Sequence, residues 1–239
     1  MKETVVLTRR AFMGTAAVLG AGALLGCGSG RSQPSAVLTS DFSVPHADPD
    51  DYYDVACAIA LGFTGVVLDQ PSPDAISAIE EIGGRVLEPT ALRKAESICV
   101  VGSPGPAAAH HRREQRVILF AGDATGAPEH NQALDPEAYA FLQPRSRWVP
   151  CFAGSLQPGD RRASLVWTND DELAAGSPLE PWLRKFIGDV WGFRRLWGGA
   201  LLRFAFADRW AGSSVASGRF EAAPDLAKTM VAGVRALLR

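Results

Sequence analysis

Five aspartates lie within fourteen residues near the start of the chain, and no lysine or arginine stands among them. They are Asp41, Asp48, Asp50, Asp51 and Asp54. Carboxylates grouped without a basic partner are typical ligands of a hard divalent cation, which takes oxygen donors. Helix capping also fits, because Asp48-Pro49 suits an N-cap and a first helical residue, and the helix dipole favours acidic residues in the first turn. Capping leaves Asp41 unexplained, and both interpretations stay open at this point.

Short apolar runs alternate with helical stretches after residue 35. Strands are predicted at residues 36–39, 65–69, 97–101, 116–120 and 147–152, and helices at 51–61, 73–82, 106–113 and 135–142. The second helix is expected to end at Gly83-Gly84, since glycine is the usual residue past a helix C-terminus. Strands that are apolar throughout are buried on both faces. The sequence therefore predicts an α/β, Rossmann-like domain with a mostly parallel central sheet and helices on both faces.

The loops at the carboxyl ends of the strands are the positions where ligands bind in such a sheet. These loops follow Thr39, Val101, Phe120 and Phe152. The loop after Thr39 contains the aspartate group, so the order of the elements brings the acidic residues to the edge where a site is expected.

Three segments together resemble the inosine–uridine-preferring nucleoside hydrolase family, in a divergent branch with a longer first loop. Thr39-Ser40-Asp41, followed by Asp50-Asp51 at a helix start, resembles the family's aspartate-rich N-terminal signature. Residues 129–138, Glu-His-Asn-Gln-Ala-Leu-Asp-Pro-Glu-Ala, resemble its Glu-x-Asn-x-x-x-Asp-Pro-x-Ala segment. Val101-Gly102-Ser103-Pro104 fits its small-residue loop. The resemblance covers most of residues 37–152 and implies a nucleoside-hydrolase-like fold.

The resemblance also implies roles for particular residues. A calcium ion would be held by Asp41, Asp51 and the backbone carbonyl of Gly105, and Asp41 would act as general base. The residues expected to bind the sugar are Asp50, Glu129 and Asn131. The implied reaction is hydrolysis of the N-glycosidic bond of a nucleoside or related riboside. A cation lowers the pKa of its bound water, and carboxylates stabilise the positive charge that develops on the sugar.

One family feature is missing. Family members carry a His-Asp pair near the C-terminus, whereas the four histidines of this chain are His46, His110, His111 and His130. Asp208 is the closest stand-in for the missing aspartate, and His46 is an alternative acid. The alternative function is therefore a catalytically silent sugar-binding or nucleoside-binding lipoprotein of the same fold.

The first 26 residues have the pattern of a twin-arginine lipoprotein signal. Arg9-Arg10 precedes Phe12, an uncharged stretch runs from residue 14 to 25, and Gly26-Cys27 completes a lipobox-like ending. The stretch is short for a membrane-spanning helix, which needs about 20 apolar residues. The sequence predicts export by the twin-arginine route and lipidation of Cys27 in the bacterial envelope. A flexible tether at 27–35 then leads to the domain at 36–239.

Composition limits the partners that the domain is expected to have. The formal net charge is −2 and 21% of the residues are charged, so no electrostatic reason favours nucleic acid. The expected partners are a small-molecule nucleoside or riboside and, through Cys27, the membrane. Cys57, Cys99 and Cys151 have no metal-like spacing and are predicted to be buried free cysteines.

Overall fold

The computed structural model describes residues 35–44, 48–123, 129–151, 167–190, 193–195 and 238. These residues belong to one compact unit, Pro34–Arg239. The predicted signal, Cys27 and the tether up to residue 34 lie outside the described residues, as do His46 and Asp208. No helix in the described ranges is long and apolar enough to cross a membrane.

Five strands form the central sheet, and all neighbouring strands are parallel. They are β1 (Ala36–Ser40), β2 (Gly65–Leu68), β3 (Ser97–Val100), β4 (Arg116–Asp123) and β5 (Arg147–Cys151). Their order is β2-β1-β3-β4-β5, and Leu38 of β1 lies between Val66 of β2 and Cys99 of β3. The predicted α/β fold with a parallel sheet is confirmed.

Helices connect the strands. They are α1 (Pro49–Ala60), α2 (Pro73–Glu81), α3 (Gly105–His110), α4 (His130–Leu134) and α5 (Pro136–Leu142), with 3-10 helices at Pro89–Lys94 and Gln143–Arg145. Further along, β6 (Trp167–Asn169) pairs antiparallel with β7 (Phe193–Arg195). Between them lie α6 (Asp170–Ala174), α7 (Glu180–Ile187) and a 3-10 turn at Gly188–Val190.

The sheet separates two apolar cores, because successive strand residues point to opposite faces. Leu38 packs in the core beneath α1, α2 and α7, whereas Val37 packs in the core beneath α3, α5 and the 3-10 helix at Pro89–Lys94. Strands β1 to β4 are therefore covered on both sides, which explains why their sequences are largely apolar. Cys57 and Cys99 are buried and free, as predicted, while the side chain of Cys151 lies outside the described part.

Local signals set the ends of α2. The Ser72 hydroxyl accepts a hydrogen bond from the Ala75 amide at 3.2 Å, which satisfies a free N–H of the first turn. Gly83 follows the helix with a φ of +80°, a conformation that suits glycine, so the predicted glycine ending is confirmed.

Strand order determines where a ligand crevice forms. β2 and β3 flank β1 on opposite sides, so the connections that leave the carboxyl ends of β1 and β3 diverge there. In open parallel sheets this divergence creates the crevice in which ligands bind. Asp41 follows β1 and Val101 follows β3, at the mouth of that crevice.

Candidate functional site

The ends of β1, β2 and β3 are held together one residue beyond the strands. The Val101 amide donates to the Thr39 carbonyl at 3.0 Å, and the Asp69 amide donates to the Ser40 carbonyl at 3.0 Å. These bonds fix the backbone of the loops relative to the sheet. Asp41, Asp69 and Gly102 are thereby brought to one edge, although they are far apart in the sequence.

Gly102 allows the loops to approach closely. A Cβ atom at this position would lie 2.4 Å from the Asp41 amide nitrogen and 2.8 Å from the Asp69 Oδ2 atom. Contacts this short require something to move, so only glycine fits the loop as it stands. The small-residue loop after β3 is therefore packed directly against the first strand-end aspartate.

Asp69 is a half-buried carboxyl at a strand end, and one of its oxygens has no partner among the described residues. Its Oδ2 atom accepts a hydrogen bond from the Ser103 amide at 2.7 Å. Its Oδ1 atom is buried and has no hydrogen-bond partner in the described part of the chain. Burial raises the pKa of Asp69 to about 7, the Ser103 hydrogen bond opposes that rise, and the negative charge of Asp41 adds to it.

Asp51 caps a helix and also belongs to the buried acidic group, so it fits both interpretations that the sequence left open. The Asp48 amide donates to its Oδ2 atom at 3.1 Å, so Asp51 does help to cap α1. It is also buried among other acidic groups. The pKa of Asp51 is raised to about 10. The largest cause is burial, the second is the negative charge of Asp41, and the other aspartates of the loop and helix add to it. Helix capping explains the hydrogen bond to Asp51, but it does not explain why this carboxyl is buried beside other negative charges that repel it.

Asp41 is the electrostatic centre of the cluster. Burial raises its pKa, its own backbone amide and His130 lower it, and Asp48 and Glu129 raise it. Asp54 is fully enclosed, and burial followed by the charges of Asp50 and Asp41 raises its pKa well above normal. Burial and mutual repulsion therefore favour the protonated forms of these carboxyls unless a positive charge joins them.

Glu129 is held mainly by backbone amides. Its two oxygens accept from the amides of Asn131 and Gln132, each at 2.9 Å, and from the amide of Gly122 at 2.7 Å. It is thus the N-cap of α4 and also ties that helix to β4. The negative charge of Glu129 raises the pKa of Asp41, so the glutamate predicted to bind sugar lies at the same edge.

Asn131 links the third segment to the loop after β3. Its Nδ2 atom donates to the Val101 carbonyl at 2.9 Å, and the residue is only 8% exposed. Its Oδ1 atom is buried without a hydrogen-bond partner among the described residues. An acceptor in that state is expected to meet a ligand donor, a cation or a water.

Gly105 lies in a different part of the loop from Gly102. A Cβ atom on Gly105 would lie 2.9 Å from Asp135 Oδ2, and its amide donates to Ser103 Oγ at 3.3 Å. The residue beside Asp41 is Gly102. Of the predicted metal ligands, Asp41 and Asp51 are brought together, whereas the contacts that define the position of Gly105 are with Asp135 and Ser103.

Asp69 and His130 are not among the residues that the sequence predicts for the site. Asp69 was placed inside the second strand, yet it stands directly after β2 just as Asp41 stands after β1. The strand-end rule that selected Asp41 would also have selected Asp69. His130 gives no such signal, because its proximity to Asp41 depends on how α4 packs on the sheet; Asp54 belongs to the aspartate group of the first loop, but its burial beside Asp41 likewise depends on the packing of α1.

The donor chemistry of this edge suits a hard cation, but the side chains do not form a complete ligand set. Within the described ranges, no group of three or more His, Cys, Asp or Glu residues is arranged to hold a metal ion. The unpartnered buried atoms at this edge are all oxygens: Thr39 Oγ1, Asp69 Oδ1 and Asn131 Oδ1. Calcium sites are commonly completed by backbone carbonyls and water, so carboxylates need not supply every ligand.

No protein-family model and no curated protein sequence matches this chain. Among solved structures, it is similar to an imine reductase from Myxococcus stipitatus, V8 variant, in complex with NAD+. The sequence identity is 13% and the TM-score is 0.32, and the match covers 49% of this chain. It spans only 38% of the reductase, well under half of that protein's length.

Proposed function

We propose that this chain is an envelope lipoprotein that hydrolyses the N-glycosidic bond of a nucleoside or related riboside with the help of calcium. The observation that carries the proposal is the group of buried, mutually repelling carboxyls around Asp41, at the crevice between β1 and β3. Burying so many acidic groups is costly unless a ligand offsets their repulsion. A cation and a positively charged reacting sugar are ligands that would do so.

The proposal is supported by how the three nucleoside-hydrolase-like segments meet. Asp41 belongs to the first segment, Gly102 to the second and Asn131 to the third. Gly102 packs against Asp41, and Asn131 bonds to the loop residue before Gly102. Segments that are far apart in the sequence therefore contribute residues to one crevice, as a ligand site built from all three requires.

Asp41 and Asp51 would supply carboxylate oxygens to the cation, and the loop at residues 102–105 would supply a backbone carbonyl. A bound divalent cation would neutralise the carboxylates and make a coordinated water more acidic. Asp41 would accept the proton of the attacking water. Its partial burial suits that role, because a general base works best when its pKa lies near the working pH.

The sugar would lie between the loop after β1 and the start of α4. Asn131 Oδ1 is a buried acceptor that a sugar hydroxyl could satisfy. The Glu129 oxygens already accept three amide hydrogen bonds, but a carboxylate offers about four acceptor positions. Asp50, which is partly buried in the first turn of α1, is the remaining residue proposed to bind a hydroxyl.

The alternative is a silent sugar-binding or nucleoside-binding lipoprotein. It is favoured by Glu129, most of whose acceptor positions are used by backbone amides, and by the incomplete set of metal ligands among the described side chains. In that case the crevice would bind a riboside but would not cleave it.

Base release from nitrophenyl riboside and from inosine, measured with purified protein and calcium, separates the two functions. We expect slow release that favours nitrophenyl riboside, because that leaving group needs little protonation. Asp41→Asn should remove release and leave riboside binding largely intact, since the amide cannot accept the proton of water. Asp74→Asn is the matched control, because Asp74 also stands in the first turn of a helix but is exposed on α2. Binding without release from either substrate would establish the silent binder.

A further inference from the structure

The amino edge of the sheet, opposite the carboxylate site, carries a group of exposed basic side chains. They are Arg93, Lys94, Arg112, Arg113 and Arg145. They lie at the ends of the elements that pack on one face of the sheet, because each of those elements runs back from the carboxyl edge to the start of the next strand. The Arg93 Nε atom donates to His110 Nδ1 at 3.2 Å, which joins the first 3-10 helix to the end of α3.

These basic residues are not neutralised by neighbours in the described ranges. The ion pairs there are formed by Arg184 with Asp171 and Glu180, and by Lys185 with Glu81. On the layer that carries these basic residues, the acidic residues near the amino edge are Glu88, Glu96 and Glu114, so basic residues outnumber them there; Glu80 and Glu81 end α2 on the other layer. On the other face, α1 and α2 have no basic residue in their last turns, whereas α7 has Arg184 and Lys185, which form ion pairs. The five basic residues of the amino edge thus lie on one layer and outside the ion pairs of the described ranges.

An exposed aromatic ring stands among the basic side chains. Phe141 is 40% exposed, and the Arg145 guanidinium lies 4.2 Å from the centre of its ring. His111, at the end of α3, makes an edge contact with the same ring at 5.9 Å between ring centres. An aromatic ring flanked by basic groups is typical of surfaces that lie at a membrane interface.

The chain enters the domain at this same edge. The Glu96 amide donates to Ser35 Oγ at 3.1 Å, and Ser35 Oγ donates to the Lys94 carbonyl at 3.4 Å. Ser35 is thus fixed beside the basic group. A chain from Cys27 to Ser35 can span at most about 30 Å, because an extended residue covers about 3.4 Å. A lipidated Cys27 would therefore keep the amino edge close to the bilayer.

We propose that this basic amino edge docks on the anionic phospholipid headgroups of the membrane that holds Cys27. The docking does not depend on hydrolysis. Each basic side chain near an anionic surface strengthens binding roughly fivefold, so the edge supplements the acyl anchor. Docking in this orientation turns the carboxyl edge, with Asp41, away from the bilayer and towards solute.

Sedimentation with lipid vesicles tests the proposal. Every sample is the full chain with Cys27→Ser, so acylation is absent. The predicted signal at residues 1–26 then contributes equally to the binding of all variants. We expect tighter binding to vesicles of phosphatidylcholine mixed with phosphatidylglycerol than to phosphatidylcholine alone. Arg112→Glu with Arg113→Glu should weaken binding to the anionic vesicles at least roughly 25-fold. Added salt should weaken the binding of the unmodified edge, because it screens surface charge.

Arg184→Glu with Lys185→Glu is the matched control, since these adjacent exposed residues lie on α7, on the other face of the sheet. The control should bind anionic vesicles as the parent does, and circular dichroism should show that both double variants are folded. Equal binding to both vesicle types, equal weakening by both double variants, or no binding at all would overturn the proposal.

Discussion

At the residue scale, the raised pKa values of Asp69 and Asp51 link protonation to stability. The folded chain keeps Asp69 protonated up to about pH 7 and Asp51 up to about pH 10, whereas an unfolded aspartate loses its proton near pH 4. The folded state therefore binds more protons across this window. Its stability is fully present below about pH 4 and is lost as the pH rises through the folded pKa values.

The corresponding prediction is that chelator-treated protein is less stable at pH 8 than at pH 5. Urea unfolding at the two pH values measures this as a lower midpoint at pH 8. Asp69→Asn should reduce the difference, because an amide does not titrate. Stability that instead increases between pH 5 and pH 8 would mean that the carboxyls are already compensated.

Single residues of the site could be predicted where position along a strand determined them. Asp41 is predicted because it belongs to an acidic group that follows an apolar run and because that segment resembles the nucleoside hydrolase signature, whereas Asp69 is taken as the last residue of the second strand and receives no role. Glu129 was assigned a sugar-binding role from resemblance, but its three amide hydrogen bonds depend on α4 and on Gly122 of β4. Contacts between distant elements depend on packing, which a single sequence does not give.

At the element scale, the loop after β3 depends on the close approach of Gly102. Gly102→Ala places a methyl group within 2.4 Å of the Asp41 amide and 2.8 Å of Asp69 Oδ2, so the two loops must separate. We expect this variant to lose cation and riboside binding even if it remains folded. Isothermal titration with calcium and with riboside provides the measurement.

Gly83→Ala is the control for that variant. Its Cβ meets nothing within 4 Å, but its φ of +80° is unfavourable for alanine, so it should lose about 1 kcal/mol of stability. It should bind calcium as the parent does. If both variants bind equally, Gly102 does not hold the crevice together.

Elements with a clear apolar pattern were predicted well, including the short strands. The five sheet strands and α1, α2, α3 and α5 agree with the sequence to within a few residues. α4 was not predicted, because five residues are too few for periodicity and the helix depends on the Glu129 cap. β4 continues to Asp123 past a register shift near Gly122, whose φ is +75°. Such an irregularity leaves no trace in an apolar run.

At the scale of the whole molecule, opposite charges gather at opposite edges of the sheet. Acidic residues surround the crevice at the carboxyl edge, and basic residues surround the entry of the chain at the amino edge. A net charge of −2 conceals this separation, because composition sums charges without regard to place. Composition could therefore argue against nucleic acid as a partner but could not predict the basic edge.

Export and anchoring are a prediction about the whole chain. Cys27→Ala should abolish labelling by a radioactive fatty acid and release the protein from the membrane fraction, because acylation requires the thiol. Replacing Arg9 and Arg10 by lysines should block export by the twin-arginine route. Unchanged membrane fractionation of Cys27→Ala would contradict lipidation, and continued export of the lysine variant would indicate the general secretory route.

A bound cation should stabilise the whole domain. The direction in which one substitution changes the Tm, with and without calcium, can reveal this. A ligand that binds only the folded chain stabilises it by about 2.7 kcal/mol at a hundredfold excess over its Kd. For a domain of this size that corresponds to a rise of roughly 5–10 °C in Tm. Calcium should therefore raise the Tm of the parent protein, and chelator should reverse the rise.

Asp41→Ala should change the Tm in opposite directions under the two conditions. Without calcium the substitution removes a carboxyl that repels Asp51 and Asp54, so the variant should melt at a higher temperature than the parent. With calcium the parent gains binding energy that the variant has lost with its carboxylate ligand, and the order should reverse. Asp74→Ala should leave the Tm unchanged in both conditions. A structural aspartate would destabilise the protein equally with and without calcium when replaced, so parallel shifts in the two melting curves would rule out a cation at Asp41.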